Sequence, residues 1–231
     1  MIKMENKLEN KIIHFCKNKY KNNLAAVLIY GSYFTGNYKE NESDLDLIIL
    51  LKSIPPKEKD KGELIKKIPS LKLFIHHLKT IKDYKKEIYE KGSWSSWIVL
   101  TKGSKIIFSS KEFIDFQKSL INYPINKNKL MKFIIEKDNF DLNIDLPKKS
   151  GWPATKMIFA HIRRKLQILY FYKKNQIEPD FGVCLSSLNI HYNEKLKLLN
   201  KYYLKRDLIS NKEITNYVII SKNLTKTLIK N

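Results

Sequence analysis

Two apolar runs constrain this chain more than anything else in it. Leu24-Ala25-Ala26-Val27-Leu28-Ile29-Tyr30 stops at Gly31-Ser32, and Ser43 leads into Asp44-Leu45-Asp46-Leu47-Ile48-Ile49-Leu50-Leu51. A run that is apolar on both faces reads as a buried central strand. Asp44 and Asp46 are two apart, so on a strand both carboxylates leave one face while Leu45 and Leu47 point into the core. Two like charges side by side are costly unless they are fully solvated or a cation neutralises them. A hard divalent ion, most simply Mg²⁺, relieves that repulsion with oxygen ligands. Gly31 lets the backbone turn sharply and approach a ligand. The Ser32 hydroxyl and the amides of the turn can then donate to phosphate. Alone, an Asp-x-Asp is usually a solvated strand edge, and a Gly-Ser after a strand is an ordinary turn. Their conjunction across Gly36 and a short polar stretch is far more specific. A phosphate-holding turn beside a metal-holding carboxylate pair is the requirement of two-metal phosphoryl or nucleotidyl transfer.

The remaining pattern divides the chain in two. Residues 5–20 read as an amphipathic helix, residues 33–42 as a loop or short helix, and residues 57–67 as a helix introduced by Pro55-Pro56. Leu71 to Leu78 reads as a third strand and residues 82–91 as a helix ending at Gly92. Trp97-Ile98-Val99-Leu100 and Lys105-Ile106-Ile107-Phe108 read as short strands joined by a hairpin at Lys102-Gly103. Beyond residue 110 the period becomes helical over 111–121, 127–138, 153–175, 193–205 and 211–229. The expected fold class is α/β (α+β): a mixed sheet flanked by helices over residues 1–112, then an all-helical domain over 113–231. The best linker is 143–153, where Asp145-Leu-Pro-Lys-Lys-Ser-Gly-Trp-Pro153 collects the breakers.

Composition adds limits. The chain has 231 residues and a net charge of +21, which ordinarily signals a polyanionic partner. Only Arg163, Arg164 and Arg206 are arginines among 44 basic residues. Base-reading proteins favour the bidentate Arg fork, so a lysine excess fits nucleic-acid affinity or a compositionally biased, solvated surface. No run reaches the length of a membrane span, and the first residues lack a continuous apolar signal region, so the expected location is cytoplasmic with no membrane partner. Cys16 and Cys184 are far apart and read as small buried hydrophobes. His76 and His77 are adjacent rather than at metal-ligand spacing.

The stretches Tyr30-Gly31-Ser32-Tyr33-Phe34-Thr35-Gly36 and Ser43-Asp44-Leu45-Asp46-Leu47-Ile48-Ile49 resemble the DNA polymerase β-like nucleotidyltransferase superfamily, and within it the small minimal nucleotidyltransferases. The likeness in element order extends to about residue 110, where Lys102 to Phe108 resembles a closing hairpin. It implies a Mg²⁺-dependent enzyme with room for two metals, an NTP donor (ATP foremost), and transfer of NMP to a hydroxyl. The acceptor would be a protein, an RNA end or a small molecule. Asp44 and Asp46 would be the catalytic metal ligands, and Gly31, Ser32 and Ser43 would hold the nucleotide. The resemblance also leaves room for an oligomer or a toxin–antitoxin-type partner.

Two departures keep a second reading open, a non-catalytic module binding nucleotide, RNA or protein. Tyr33, Phe34 and Thr35 stand where family members often carry an arginine. Leu71-Lys72-Leu73-Phe74-Ile75-His76-His77-Leu78 holds no acid where a third carboxylate is usual. His76 or His77 could substitute, and Asp83 and Glu87 would reach in only if their helix packed over the site. The helical half more loosely resembles the partner modules of these transferases. Its Arg163 and Arg164 form either a solvated face or, beside Lys156, His161 and Lys165, a basic face toward a triphosphate or RNA.

Overall fold

The computed structural model describes residues 2–36, 38, 44–57, 62–63, 66, 73–188 and 190–230. They divide into two compact units, residues 1–90 with 96–124 and residues 91–95 with 125–231. Among the described residues, no helix is long and apolar enough to cross a membrane.

The first unit is a four-stranded mixed sheet flanked by helices, in the order β3-β2-β1-β4. Helix α1 spans Ile2–Tyr20, and β1, Leu24–Tyr30, follows a single 3₁₀ turn. Strand β2 spans Leu45–Leu51 and runs antiparallel to β1, so the connection carrying the Gly-Ser turn returns the chain beside its starting strand. Strand β3, Leu73–Thr80, is parallel to β2, and β4, Ser104–Ser109, is antiparallel to β1 at the other edge. β1 and β2 are central because no position from Leu24 to Ile29, or from Leu47 to Leu51, tolerates water: all are buried. One sheet face, carrying Val27, Ile29, Leu45, Leu47, Ile49 and Leu51, packs with Ile12 and Cys16 of α1. Burying those chains stabilises the unit by roughly 1.5–3 kcal/mol each. Burial also pushes the Cys16 thiol up to about 12, as a small core residue rather than a reactive one.

Helix α2, Ile81–Lys85, continues as a π turn over Lys86–Glu90. The apolar run Trp97–Leu100, expected as a strand, lies instead in helix α3, Trp94–Thr101. Four consecutive apolar residues fit a buried helix as well as a strand. Here Trp94, Trp97, Ile98 and Leu100 are all buried, and the Lys102 and Gly103 amides both close on the Ile98 carbonyl. Lys102-Gly103 is therefore a helix terminus, not a hairpin. Helix α4, Lys111–Ile121, is capped by Ser110. The helix expected over 57–67 lies largely outside the described residues.

The second unit is helical: α5 (Lys127–Lys137), α6 (Gly151–Lys174), α7 (Phe181–Ser187), α8 (Asn193–Lys205) and α9 (Asn211–Lys230). α6 forms its spine, burying Ala154, Ile158, Ile162, Leu166 and Leu169 against the apolar faces of its neighbours. Pro153 is tolerated in the first turn, where amides lack helical partners anyway. Asn175 ends the helix in the left-handed conformation. Residues 138–148, which overlap the stretch read as a linker, form a π turn (Asp138–Asp145) and a 3₁₀ turn (Leu146–Lys148) with Leu142 and Leu146 buried.

Candidate functional site

The register of β1 against β2 brings the two halves of the motif together. Tyr30, the last residue of β1, pairs with Asp46, so Gly31 begins its turn directly beside that carboxylate. Gly31 has φ +69°, a left-handed conformation that favours glycine. A Cβ placed on Gly31 would lie 2.1 Å from Asp46 Oδ2, inside any tolerable contact. Only glycine lets the turn backbone settle on the carboxylate. The turn is then closed locally. The Thr35 amide donates to the Gly31 carbonyl (3.1 Å), and its hydroxyl donates to the Gly31 and Ser32 carbonyls (3.2 and 3.4 Å). Gly36, at φ +74°, exits the turn.

Asp46 is half-buried inside β2, while Asp44 is exposed just before the strand begins. Gly31 and Ser32 are half-buried in the turn. Ser43 lies outside the described residues. Among the described residues, no group of three or more His, Cys, Asp or Glu side chains converges to hold a metal. Two carboxylates two positions apart still suit Mg²⁺, which is commonly held by one or two carboxylates with substrate phosphates and water completing its shell. Asp46 Oδ2 occupies the place a Cβ would take at Gly31, and with exposed Asp44 two positions away the oxygen donors fit such a group.

The acids proposed as substitutes for the third carboxylate lie at the wrong end of the sheet. Asp46 pairs with Phe74, whereas Thr80 pairs with Leu51, five positions and roughly 16 Å further along β2. Asp83 closes a capping box there: the Thr80 amide and hydroxyl donate to its Oδ2 at 2.9 and 2.8 Å. Those bonds from Thr80, aided by Lys79 and Lys82, hold Asp83 below the usual carboxylate range. Glu87 pairs with Lys79 and accepts from Ser96 Oγ (3.0 Å). His77 sits opposite Ile48, two positions up β2 from Asp46, with its ring against Tyr84. The side chain of His76 lies outside what is described.

In the helical unit, two members of the expected basic face are interior. His161 is 2% exposed and bonds Asp138 (Nδ1–Oδ1 3.3 Å) and Asp141 (Nε2–Oδ2 2.7 Å). Lys165 is 1% exposed and donates to Asp138 Oδ2 (2.7 Å), Ser221 Oγ (2.6 Å) and the Ser221 carbonyl (2.9 Å). Arg164 donates to Ser95 Oγ (3.1 Å) and lies over the Phe133 ring, while Arg163 lies over Phe159. The idea that His161 and Lys165 face a triphosphate or RNA is therefore corrected: burying them required internal carboxylates. Only Lys156 of that group is exposed.

Sequence reasoning missed Glu9, Tyr33 and Lys105. Tyr33 Oη donates to Glu9 Oε1 (2.9 Å), and Lys105 Nζ donates to the same oxygen (2.7 Å). The signal was available: Glu9, Ile12 and Cys16 share the buried stripe of α1, and an acid at a core position calls for a partner.

Residues 9–99 match the family model described as a nucleotidyltransferase domain. The match is confined to that part of the chain, and a helical region follows it. A Methanocaldococcus jannaschii relative named as a protein adenylyltransferase is 30% identical over 66 residues, 29% of this chain and 44% of that protein. The chain thus spans less than half of that relative's length. The crystal structure of the spectinomycin adenyltransferase AAD(9) from Enterococcus faecialis, with ATP and spectinomycin, is similar at a TM-score of 0.59 and 17% identity. That likeness covers 95% of this chain and 99% of that one, and at this identity it establishes the fold.

Proposed function

We propose that the chain is a Mg²⁺-dependent nucleotidyltransferase that moves NMP, foremost AMP, from an NTP onto a hydroxyl acceptor. The observation that carries this reading is the packing of the Gly31 turn on Asp46, where a Cβ would meet Oδ2 at 2.1 Å. It sets phosphate-binding amides and a cation-binding carboxylate within one ligand's reach. The names of the relatives, two adenylyltransferases, support AMP as the transferred group.

In this reading Gly31 and Ser32 hold the triphosphate through backbone amides and the Ser32 hydroxyl, and Ser43 joins them. Asp44 and Asp46 present carboxylate oxygens to a divalent ion. When bound, that ion lowers the pKa of the attacking hydroxyl and offsets charge on the triphosphate. The acceptor oxygen forms a bond to the α-phosphorus, the α–β bridging bond breaks, and pyrophosphate carries away the electron pair. The hydroxyl proton must pass to a base. Asp83 and Glu87, both engaged elsewhere, are poor candidates, and among the described residues we assign this role to Asp44 or Asp46. A chain of net charge +21 suits a protein or RNA acceptor better than a cationic drug, which an acidic cleft would capture. We keep a cytoplasmic location and a two-domain division as parts of this proposal.

The same engagement of Asp83 and Glu87 favours the second reading, a nucleotide-binding module without transfer. Incubation with Mg²⁺ and α-labelled ATP, with total RNA in one arm and whole lysate in the other, separates the two. Transfer predicts label in one pool from the wild type and none from Asp44→Ala/Asp46→Ala. Label in neither pool, with Mg²⁺–ATP binding intact, selects the binding module.

A further inference from the structure

The turn that begins at Gly31 is anchored through its third residue, not only through its own backbone. Tyr33 follows Ser32 directly. Its hydroxyl reaches 2.9 Å to Glu9 on α1, and Lys105 of β4 reaches 2.7 Å to that same carboxylate oxygen. Glu9 is 8% exposed, so its charge is withdrawn from water and compensated by these two donors on one oxygen. The Lys105 ammonium also lies 5.9 Å from the Tyr33 ring centre, and Tyr38 meets that ring edge-on at 5.4 Å. Two elements far apart in sequence, α1 and β4, therefore converge on one turn side chain.

Lys105 is exposed, and an ion pair with an exposed partner contributes little net stability, so stability alone is a weak reason for this one. Its geometric consequence is direct. With Tyr33 Oη tied to α1, the turn's third residue is held to the rest of the fold, which limits how far the turn backbone can rearrange before a ligand arrives. Preorganised donors lower the ordering cost of binding an anion. We infer that Glu9, with Lys105 as its countercharge, is a positioning residue for the nucleotide-binding turn, acting through Tyr33. This rests on the reading of Gly31-Ser32 as the triphosphate site.

The test measures Mg²⁺–ATP dissociation constants by calorimetry, together with apo melting temperatures, in the full-length wild type, Tyr33→Phe, Glu9→Gln and the double variant. Tyr33→Phe keeps the ring and loses only the tether. Each single variant is expected to weaken binding about fivefold or more, with melting temperatures near the wild type's, because a charge-assisted hydrogen bond is lost. The double variant should be little worse than either single one, since both cut the same tether. Lys105→Arg should bind within about twofold of the wild type, because it keeps the charge on Glu9. Wild-type affinity in both single variants overturns the inference while leaving the nucleotide site standing. Tighter binding in Glu9→Gln also overturns it, by showing that Glu9 withholds Lys105 from the phosphates. No Mg²⁺–ATP binding by the wild type removes the nucleotide reading and the positioning role with it.

Discussion

Each unit of this protein contains a pair of nearby aspartates, and the two pairs are managed in opposite ways. Asp138 and Asp141 of the helical unit are held by His161, Lys165 and Thr225, cations and donors of the same unit. Burial alone pushes both carboxyls up, yet the bonds from His161, with Lys165 and Thr225 at Asp138, outweigh it and leave both below the ordinary range. Asp44 and Asp46 are an exposed and a half-buried carboxylate at a strand start, with Asp46 Oδ2 packed against the backbone of Gly31. The first pair is enclosed and compensated by the fold. The second is presented beside a turn whose amides suit an anion. The first pair thus serves structure, and in the proposed function the second serves ligand chemistry; their burial differs accordingly.

The largest expected effect comes from breaking the enclosed pair. Asp138→Ala leaves Lys165 and His161 buried without their shared carboxylate and should cost about 3–5 kcal/mol, read by urea or thermal unfolding of the helical unit. An unfolding free energy within about 1 kcal/mol of the wild type would show that the network is not needed.

Next is the response to pH. Burial lowers the Lys165 ammonium from 10.5 to about 8 in the folded protein. A base whose folded value is depressed pays its penalty while charged, so the penalty is full below pH 8 and fades between 8 and 10.5. Stability of the helical unit should therefore rise by roughly 2–3 kcal/mol across that window before other groups intervene. Asp138 and Asp141 change stability in the same direction, upward with pH, but in an acid window. Their lowered values contribute stability that is full above the ordinary 3.8 and is lost progressively as pH falls below it. Lys165→Met should abolish the alkaline rise, and its persistence in that variant would assign it elsewhere.

A smaller effect on stability, with a large one on binding, is expected at the presented pair. Gly31→Ala forces a left-handed residue with a Cβ against Asp46 Oδ2 and should cost roughly 1–2 kcal/mol. It should also abolish stabilisation by Mg²⁺–ATP. Retention of that stabilisation would remove the close approach from the account.

The presented pair was legible in sequence because its elements are local: two apolar strands, a glycine, and carboxylates at period two. The buried central strands and the helical character of the second half followed from the same periodicities. The enclosed pair was not legible. Asp138 and Asp141 lie on a π turn that no helical period announces, and their partners at 161, 165 and 225 come from other helices. His161 and Lys165 read as surface cations because sequence alone does not reveal a compensating carboxylate. Trp97–Leu100 was misread because a short apolar run fits either a strand or a buried helix. Glu9 was overlooked because its partners Tyr33 and Lys105 are brought to it by a helix packing on a sheet.

The central claim is that Asp44 and Asp46 serve a ligand rather than the fold, and its most direct measurement is calorimetric titration of Mg²⁺–ATP into the wild type and into Asp44→Ala/Asp46→Ala. The account predicts Mg²⁺-dependent binding to the wild type, none to the double variant, and apo stabilities within about 1 kcal/mol of each other. Equal binding to both proteins, or a double variant that no longer folds, would contradict it.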